Sequence, residues 1–81
     1  MSLKSLVEHL ASALVDLPEA VEVREVASGP ALVLELHVDR GDLGKVIGRR
    51  GQTARALRAV LAAAAARTHR RVLLNIVEDH E

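Results

Sequence analysis

Gly44-Lys45-Val46-Ile47-Gly48-Arg49-Arg50-Gly51 is the most informative stretch of this 81-residue chain, and a long segment rich in alanine and arginine follows it. Two glycines enclose two arginines, so the backbone can turn tightly and approach a ligand while cationic side chains hold it. A Cβ at Gly48 or Gly51 would restrict φ and block that approach. Because the segment after Gly51 predicts a helix, its first N–H groups and positive dipole end face the same place. The stretch therefore predicts an anion-binding loop.

The charges are distributed unevenly along the chain. The 11 basic and 11 acidic residues cancel to a net charge of zero, but nine of the basic residues and one acid lie between residues 40 and 71. The nine are Arg40, Lys45, Arg49, Arg50, Arg55, Arg58, Arg67, Arg70 and Arg71. A cationic region on an otherwise acidic body is expected of a protein that contacts a polyanion with one face.

Length and composition limit the possible classes of protein. At 81 residues, residues 1–81 predict one domain, which buries only roughly 60% of its unfolded surface. The chain has no Phe, Trp or Tyr, so aliphatic side chains must build the core. Bases cannot stack on an aromatic ring here, which argues against the recognition mode of RRM sheets and most OB-folds. Glu8 and His9 interrupt the apolar segment 3–17, which is therefore neither a signal peptide nor a membrane span; a cytoplasmic protein is expected.

Patterns typical of enzymes and of metal sites are missing from the sequence. The glycines match neither the P-loop nor the dinucleotide-binding spacing, and no group of hydroxyl, imidazole and carboxylate residues suggests catalysis. There is no cysteine, hence no disulfide or thiolate ligand. The four histidines are scattered without the spacing of a zinc site. We expect no enzymatic activity, no metal and no cofactor.

Hydrophobic periodicity predicts an α-β-β-α-α-β order. The predicted helices cover 3–16, 42–47 and 52–67, and the predicted strands cover 21–24, 32–38 and 72–77. Ser28-Gly29-Pro30 predicts the turn of a hairpin between the first two strands. Two helices separate the second strand from the third, so a crossover can join them as parallel neighbours. The expected fold is α+β, a mixed three-stranded sheet with helices on one face.

This order, with Val46-Ile47-Gly48-Arg49-Arg50-Gly51 at the junction of two helices, resembles a type II KH domain. Gly44-Lys45-Val46-Ile47-Gly48, the later Ala54-x-x-Leu57-Arg58 and the early Val21-Glu22-Val23 resemble the bacterial family of small stand-alone KH proteins called KhpA or YlqC. The resemblance covers essentially the whole chain. It implies single-stranded RNA held over about four nucleotides beside the Gly-x-x-Gly loop. It also implies an RNA chaperone or regulator that pairs with itself or with a larger KH-containing protein.

Site residues follow from the resemblance, position by position. The predicted RNA-binding residues are Lys45, Ile47, Gly48, Arg49, Arg50, Gly51 and Arg55. The glycines allow backbone approach, Arg49 and Arg50 supply charge, and Lys45 and Arg55 lie within reach of neighbouring phosphates. Ile47 and Val46 are expected to anchor the loop, and one of them is expected to form the apolar floor beneath the bases. Leu36 and Val38, at the end of the second strand, are candidates for the far wall of the groove, although a core role is favoured for Leu36. Gln52 stands where such proteins commonly have another basic residue, which predicts a weaker phosphate clamp.

A second interpretation remains open, in which the domain is a KH-shaped protein-interaction or dimerisation module and RNA binding is incidental. On the long helix, Ala54, Leu57, Leu61 and Ala64 form the predicted core stripe. Ala56, Val60 and Ala63 lie on its flank, where small residues allow another helix to approach closely. They predict a homodimer, or a heterodimer with another KH protein, that leaves the loops free. Sensitivity of RNA affinity to salt separates the two interpretations.

Overall fold

The structure is a computed structural model that describes residues 2–78. Its helices are α1 (Leu3–Leu14), α2 (Leu43–Ile47) and α3 (Gln52–Ala65), and its strands are β1 (Glu22–Ser28), β2 (Ala31–His37) and β3 (Arg71–Ile76). Single 3₁₀ turns occupy 18–20, 40–42, 49–51 and 66–68. The element order predicted from the sequence is confirmed, and the α+β fold with it.

Helix α1 begins at a side-chain cap and ends earlier than predicted. The Ser2 hydroxyl accepts a hydrogen bond from the Ser5 backbone N–H at 3.0 Å, and Val7 and Ala11 bury one face of the helix. The predicted end at residue 16 is wrong, because the backbone is already extended at Val15. Just after the helix, the Leu17 backbone N–H donates to the carboxylate of Asp42. It therefore bonds to a distant part of the chain and does not continue the helix.

The sheet has the order β1-β2-β3. Strands β1 and β2 pair antiparallel from Glu22 opposite His37 to Ser28 opposite Ala31. Strands β2 and β3 pair parallel, with Leu36 opposite Ile76. Strand β1 extends four residues beyond the predicted 21–24. The prediction was too short because every side chain after Val23 is exposed, so the sequence shows no apolar alternation there. The mixed sheet predicted from the sequence is confirmed, and β3 lies at its edge.

The core is aliphatic and lies between the sheet and the helices. Its buried members include Val7, Ala11, Val23, Leu34, Leu36, Val38, Val46, Ala54, Leu57, Leu61, Leu74 and Ile76. Ala65 is buried whereas Ala64 is only half-buried, so the last residue of the predicted α3 core stripe is wrong. The helix ends two residues before the predicted position 67 and tightens into a 3₁₀ turn. Ala54 of α3 and Ile76 of β3 belong to the same core, which places the start of α3 beside the end of β3.

Candidate nucleic-acid interface

The loop between α2 and α3 is a tight turn with three positive φ angles. Gly48 has φ 76° and ψ 170°, Arg50 has φ 57° and ψ 24°, and Gly51 has φ 74° and ψ 14°. The Gly48 N–H donates to the Gly44 carbonyl at 2.8 Å, and the Gly51 N–H donates to the Gly48 carbonyl at 3.1 Å. Sequence reasoning missed the left-handed conformation of Arg50, because arginine carries no signal for it.

The two loop glycines have different reasons to be glycine. At Gly48 the φ/ψ pair is essentially restricted to glycine, and a Cβ there would collide with the Thr53 hydroxyl and approach the Thr53 backbone nitrogen to 2.8 Å. At Gly51 the nearest atom to such a Cβ is the Arg55 Nη1, 3.6 Å away. A side chain at position 48 would therefore collide with the start of α3, whereas at position 51 it would make only an ordinary contact with the end of the Arg55 side chain.

The cationic side chains around this loop are exposed. Arg49, Arg50 and Arg55 all reach solvent, and within residues 2–78 their side chains form no hydrogen bond or ion pair. A guanidinium group presents five donors in a planar fork that matches a phosphate. The loop thus carries unpaired positive charge beside an accessible backbone, as an anion-binding surface requires.

A groove of about 320 Å³ runs beside the loop, between α3 and the end of β3. Its lining residues are Ile47, Gly51, Ala54, Arg55, Arg58, Asn75, Ile76 and Glu78. Of the two residues expected beneath the bases, Ile47 is half-buried and lines the groove, while Val46 is completely buried. We name this the loop groove.

The far wall of the loop groove is formed by β3, which corrects the expectation for Val38 and confirms the core role favoured for Leu36. Leu36 is 0% and Val38 4% exposed, so both belong to the core. Strand β3 has a neighbour on one side only, and its free edge faces α3. Arg58 spans this gap, and its Nε donates to the Leu74 carbonyl at 3.2 Å. The sequence predicted β3 as a parallel neighbour of β2, but it did not show that β3 forms this wall of the groove, because that depends on how α3 packs beside the strand.

Lys45 lies in an ionic cluster at the base of α2. Its ammonium is 3.2 Å from carboxylate oxygens of both Asp16 and Asp42. Asp42 is only 3% exposed, and it also accepts a hydrogen bond from the Leu17 backbone N–H at 3.1 Å. The group expected to reach a phosphate is therefore held by two carboxylates, and the cluster joins the segment after α1 to the helix that leads into the loop.

The pKa values in this cluster reflect those contacts. Burial acts to raise the pKa of Asp42, but hydrogen bonds from the Leu17 and Asp16 backbones and from Lys45 outweigh it and hold that pKa below its ordinary value. The hydrogen bond to Asp42, followed by that to Asp16, raises the pKa of Lys45 above its ordinary value. Both groups are charged at neutral pH.

A second groove, of about 260 Å³ and almost wholly apolar, lies between α1 and α3. Its lining residues are Leu10, Ala13, Leu14, Thr53, Ala56, Leu57 and Val60. Val60 is 46% and Leu14 39% exposed, and because both line this groove their side chains form part of one contiguous apolar surface. At 3.6 residues per turn, this apolar groove and the loop groove occupy opposite flanks of α3. Sequence reasoning found Ala56 and Val60 but missed the contribution of α1.

Two further properties bear on the class of protein. In the part of the chain that the structure describes, no three acidic or histidine side chains are grouped so as to hold a metal ion. Over the same residues, every helix is too short or too polar to cross a membrane.

Comparison with known proteins identifies close relatives over nearly the whole chain. The family model described as KhpA/KhpB, KH domain, matches residues 4–76. The RNA-binding protein KhpA of Halalkalibacterium halodurans is 53% identical over 94% of this chain and 100% of its own length. The RNA-binding protein KhpA of Aquifex aeolicus is 46% identical over 95% of this chain and 98% of its own length.

A solved structure shares the fold. A crystal structure of Aquifex aeolicus Era, bound to GDP and aluminium fluoride, superposes with a TM-score of 0.64. The match covers 91% of this chain but 29% of the Era chain, at 23% sequence identity. At that identity the likeness concerns the fold alone.

Proposed function

The chain belongs to the KhpA/KhpB KH-domain family, and we propose that it binds single-stranded RNA through the Gly48–Gly51 loop as an RNA chaperone or post-transcriptional regulator. The proteins named KhpA that it resembles are called RNA-binding, which supports RNA as the ligand. RNA as the ligand also implies action in the cytoplasm.

One observation carries the proposal: unpaired arginines on a tight loop stand directly beside a groove bounded by a free strand edge. Arg49 and Arg50 supply charge on the loop, and the backbone of β3 supplies hydrogen-bonding groups across the groove. A single strand of RNA can place its phosphates on the arginines of the loop and its bases against the backbone of β3. A KH groove clamps about four nucleotides in this way.

Each predicted site residue then has a physical role. Gly48 shapes the loop, Gly51 allows the RNA backbone to approach, and Arg55 extends the positive surface along α3. Ile47 provides an apolar floor for a base. Lys45 acts on RNA through the position of α2, since its ammonium is held by Asp42 and Asp16.

The composition favours broad RNA recognition. Without Phe, Trp or Tyr no base stacks on a large aromatic ring, so we expect contacts to the backbone and to base edges to carry most of the affinity. Such a surface discriminates modestly between sequences, which suits a chaperone that acts on many RNAs.

The loop assignment is tested by replacing Arg49 and Arg50 with Asp. Asp tolerates the left-handed conformation of position 50, so the fold survives while like charges repel phosphate. We expect affinity for unstructured RNA to fall at least about tenfold, or about 1.4 kcal/mol, with little change in melting temperature. The Lys4→Glu/Arg24→Glu variant changes the net charge equally on other surfaces and is expected to bind nearly as well as the unmodified protein. Unchanged binding by the folded loop variant would exclude the loop.

Strandedness gives a second measurement. The groove admits splayed nucleotides, whereas an A-form duplex keeps its base edges paired. In competition, unlabelled single strands are expected to displace a bound single strand, and duplex RNA at equal nucleotide concentration is not. Displacement by duplex would contradict the groove assignment.

The apolar groove supports a partner as well as RNA. We propose that Ala56, Val60 and the end of α1 form the interface of a homodimer, or of a heterodimer with a larger KH-containing protein. Ala63, on the same helix, is exposed beside this groove rather than in it. Because the interface occupies the opposite flank of α3, both loop grooves stay accessible in the dimer.

A further inference from the structure

The gap between α3 and β3 continues well beyond the loop groove. A second cavity, of about 250 Å³, shares Arg58 with the loop groove and reaches Ala62 and Val72. A third, of about 360 Å³, shares Ala62 and Val72 with the second and ends at Arg70 and Arg71. The three cavities adjoin one another along the gap between α3 and β3, and together they are here named the α3–β3 seam.

Positive charge follows the seam from end to end. Arg55 lies at the loop, Arg58 in the middle, and Arg70 and Arg71 at the far end. The Nε of Arg58 is bonded to the Leu74 carbonyl, which holds its guanidinium group over the seam. The acidic side chain that lines these cavities, Glu78, lies at the loop end. A polyanion that enters at the loop therefore meets further cations rather than repulsion along α3.

The dimensions of the seam exceed those of a four-nucleotide groove. Helix α3 has 14 residues, so it is about 20 Å long at 1.5 Å per residue. Its seam-facing side is lined by Ala62, Ala65 and Ala66, whose small side chains let an extended chain lie close to the helix. At the end of the helix, His69 turns the chain with φ 56°, which brings Arg70 and Arg71 back beside α3.

We propose that the α3–β3 seam is a second RNA-binding segment, continuous with the loop groove, so that one protomer holds a single strand longer than four nucleotides. Arg70 and Arg71 bind phosphates at its far end, and Arg58 binds one in the middle. The inference rests on the proposed function, since it extends the same site. The proposal gives Arg70 and Arg71 a binding role in addition to that of charged, solvent-exposed residues at the start of β3.

The test compares unstructured oligouridine of about four and about ten nucleotides, each titrated over a range of salt concentrations. The longer oligonucleotide has more ways to occupy a short groove, so affinity alone does not decide the matter. The salt dependence does, because each phosphate contact adds about 0.7 to the slope of log affinity against log salt for a single strand. We expect the slope for the longer RNA to be steeper by about two or three such contacts.

Two variants locate those extra contacts. Arg70→Gln/Arg71→Gln is expected to make the slope for the longer RNA shallower by about 1.4 and to lower its affinity about tenfold, with the short RNA affected less than about twofold. Ala62→Glu places a carboxylate in the seam at an exposed helical position and is expected to weaken the longer RNA selectively. Ala59→Glu, exposed on α3 but outside the three cavities, measures the effect of charge alone. The loss of affinity for the longer RNA is expected to be much smaller in Ala59→Glu than in Ala62→Glu.

Several outcomes would overturn the seam. Equal salt slopes for the two RNAs, or equal losses for both RNAs in the Arg70→Gln/Arg71→Gln protein, would confine binding to the loop groove and leave the proposed function intact. Equal losses for the longer RNA in the Ala59→Glu and Ala62→Glu proteins would also exclude it. Failure of the unmodified protein to bind either RNA would overturn the proposed function and the seam together.

Discussion

The buried carboxylate of Asp42 accepts a hydrogen bond from the backbone N–H of Leu17, 25 residues earlier in the chain. Leu17 lies just after α1, and Asp42 directly precedes α2. Since α2 is only five residues long and leads into the Gly48–Gly51 loop, this bond sets where the loop begins. Neither residue lines the loop groove, but the bond between them ties the segment after α1 to the start of the helix that leads into the loop.

Asp42→Asn is expected to lower the melting temperature by several degrees, because the amide keeps the shape but loses the charge that pairs with Lys45. The folded-state pKa of Asp42 is depressed, so its ionised form stabilises the protein above the ordinary carboxyl range. That contribution is lost as the pH falls through the folded-state pKa. The difference in melting temperature between the variant and the unmodified protein should therefore be largest near neutral pH. It should disappear as the pH falls below about 4. The control is Asp39→Asn, which removes a nearby exposed carboxylate, and a gap independent of pH would contradict the argument.

Lys45→Met is expected to reduce RNA affinity without changing its salt dependence. If the ammonium holds α2 through Asp42 and Asp16, the variant loses alignment of the loop but no phosphate contact. Asp42→Asn should then reproduce the same pattern, whereas Arg49→Gln should make the salt slope shallower by about 0.7. A slope that becomes shallower in Lys45→Met, but not in Asp42→Asn, would assign a phosphate contact to Lys45 instead.

Gly48→Ala is expected to cost about 2 kcal/mol or more in the free energy of unfolding, because the φ/ψ pair excludes other residues and the new methyl group meets the Thr53 backbone. Gly51→Ala meets only the flexible end of Arg55, at an ordinary contact distance of 3.6 Å, and is expected to cost only about 1 kcal/mol, from its positive φ alone. Urea denaturation of both variants measures the difference. Equal losses of unfolding free energy in the two variants would show that the contact between position 48 and the start of α3 does not add to the cost.

Val60→Asp is expected to give a folded monomer, because a charge in the apolar groove would be buried without a partner in the dimer. Leu14→Asp, on the α1 side of the same groove, should have the same effect, while Ala59→Asp on the outer flank of α3 should not. Sedimentation at high micromolar concentration measures the state of each protein. A monomeric unmodified protein would exclude the homodimer, and dimerisation of the folded Val60→Asp protein would move the interface elsewhere.

The sequence predicted the elements whose pattern is local. Alternation marked β2 and β3, and glycines marked the α2–α3 junction, where the φ/ψ pair of Gly48 is essentially restricted to glycine. Strand β1 was underestimated because pairing with β2, rather than burial, holds its exposed half in place. The early end of α1 depends on Asp42, which is distant in sequence.

In the candidate site, too, local features could be predicted from the sequence and tertiary features could not. The loop and its arginines stand together in sequence, so they could be predicted. The β3 wall of the groove, the pairing of Lys45 with Asp16 and the α1 side of the apolar groove are tertiary. Spacing along one element carries no information about which other element will lie beside it.

The position of β3 at the edge of the sheet has a consequence for solubility. An unpaired strand edge is a template onto which a strand of another chain can add, which is a route to aggregation. Here Arg58 occupies the Leu74 carbonyl, and Arg71 places a charge at the start of the strand. Both obstruct the approach of a foreign strand. The edge can therefore stay open to a ligand without becoming a point of self-assembly.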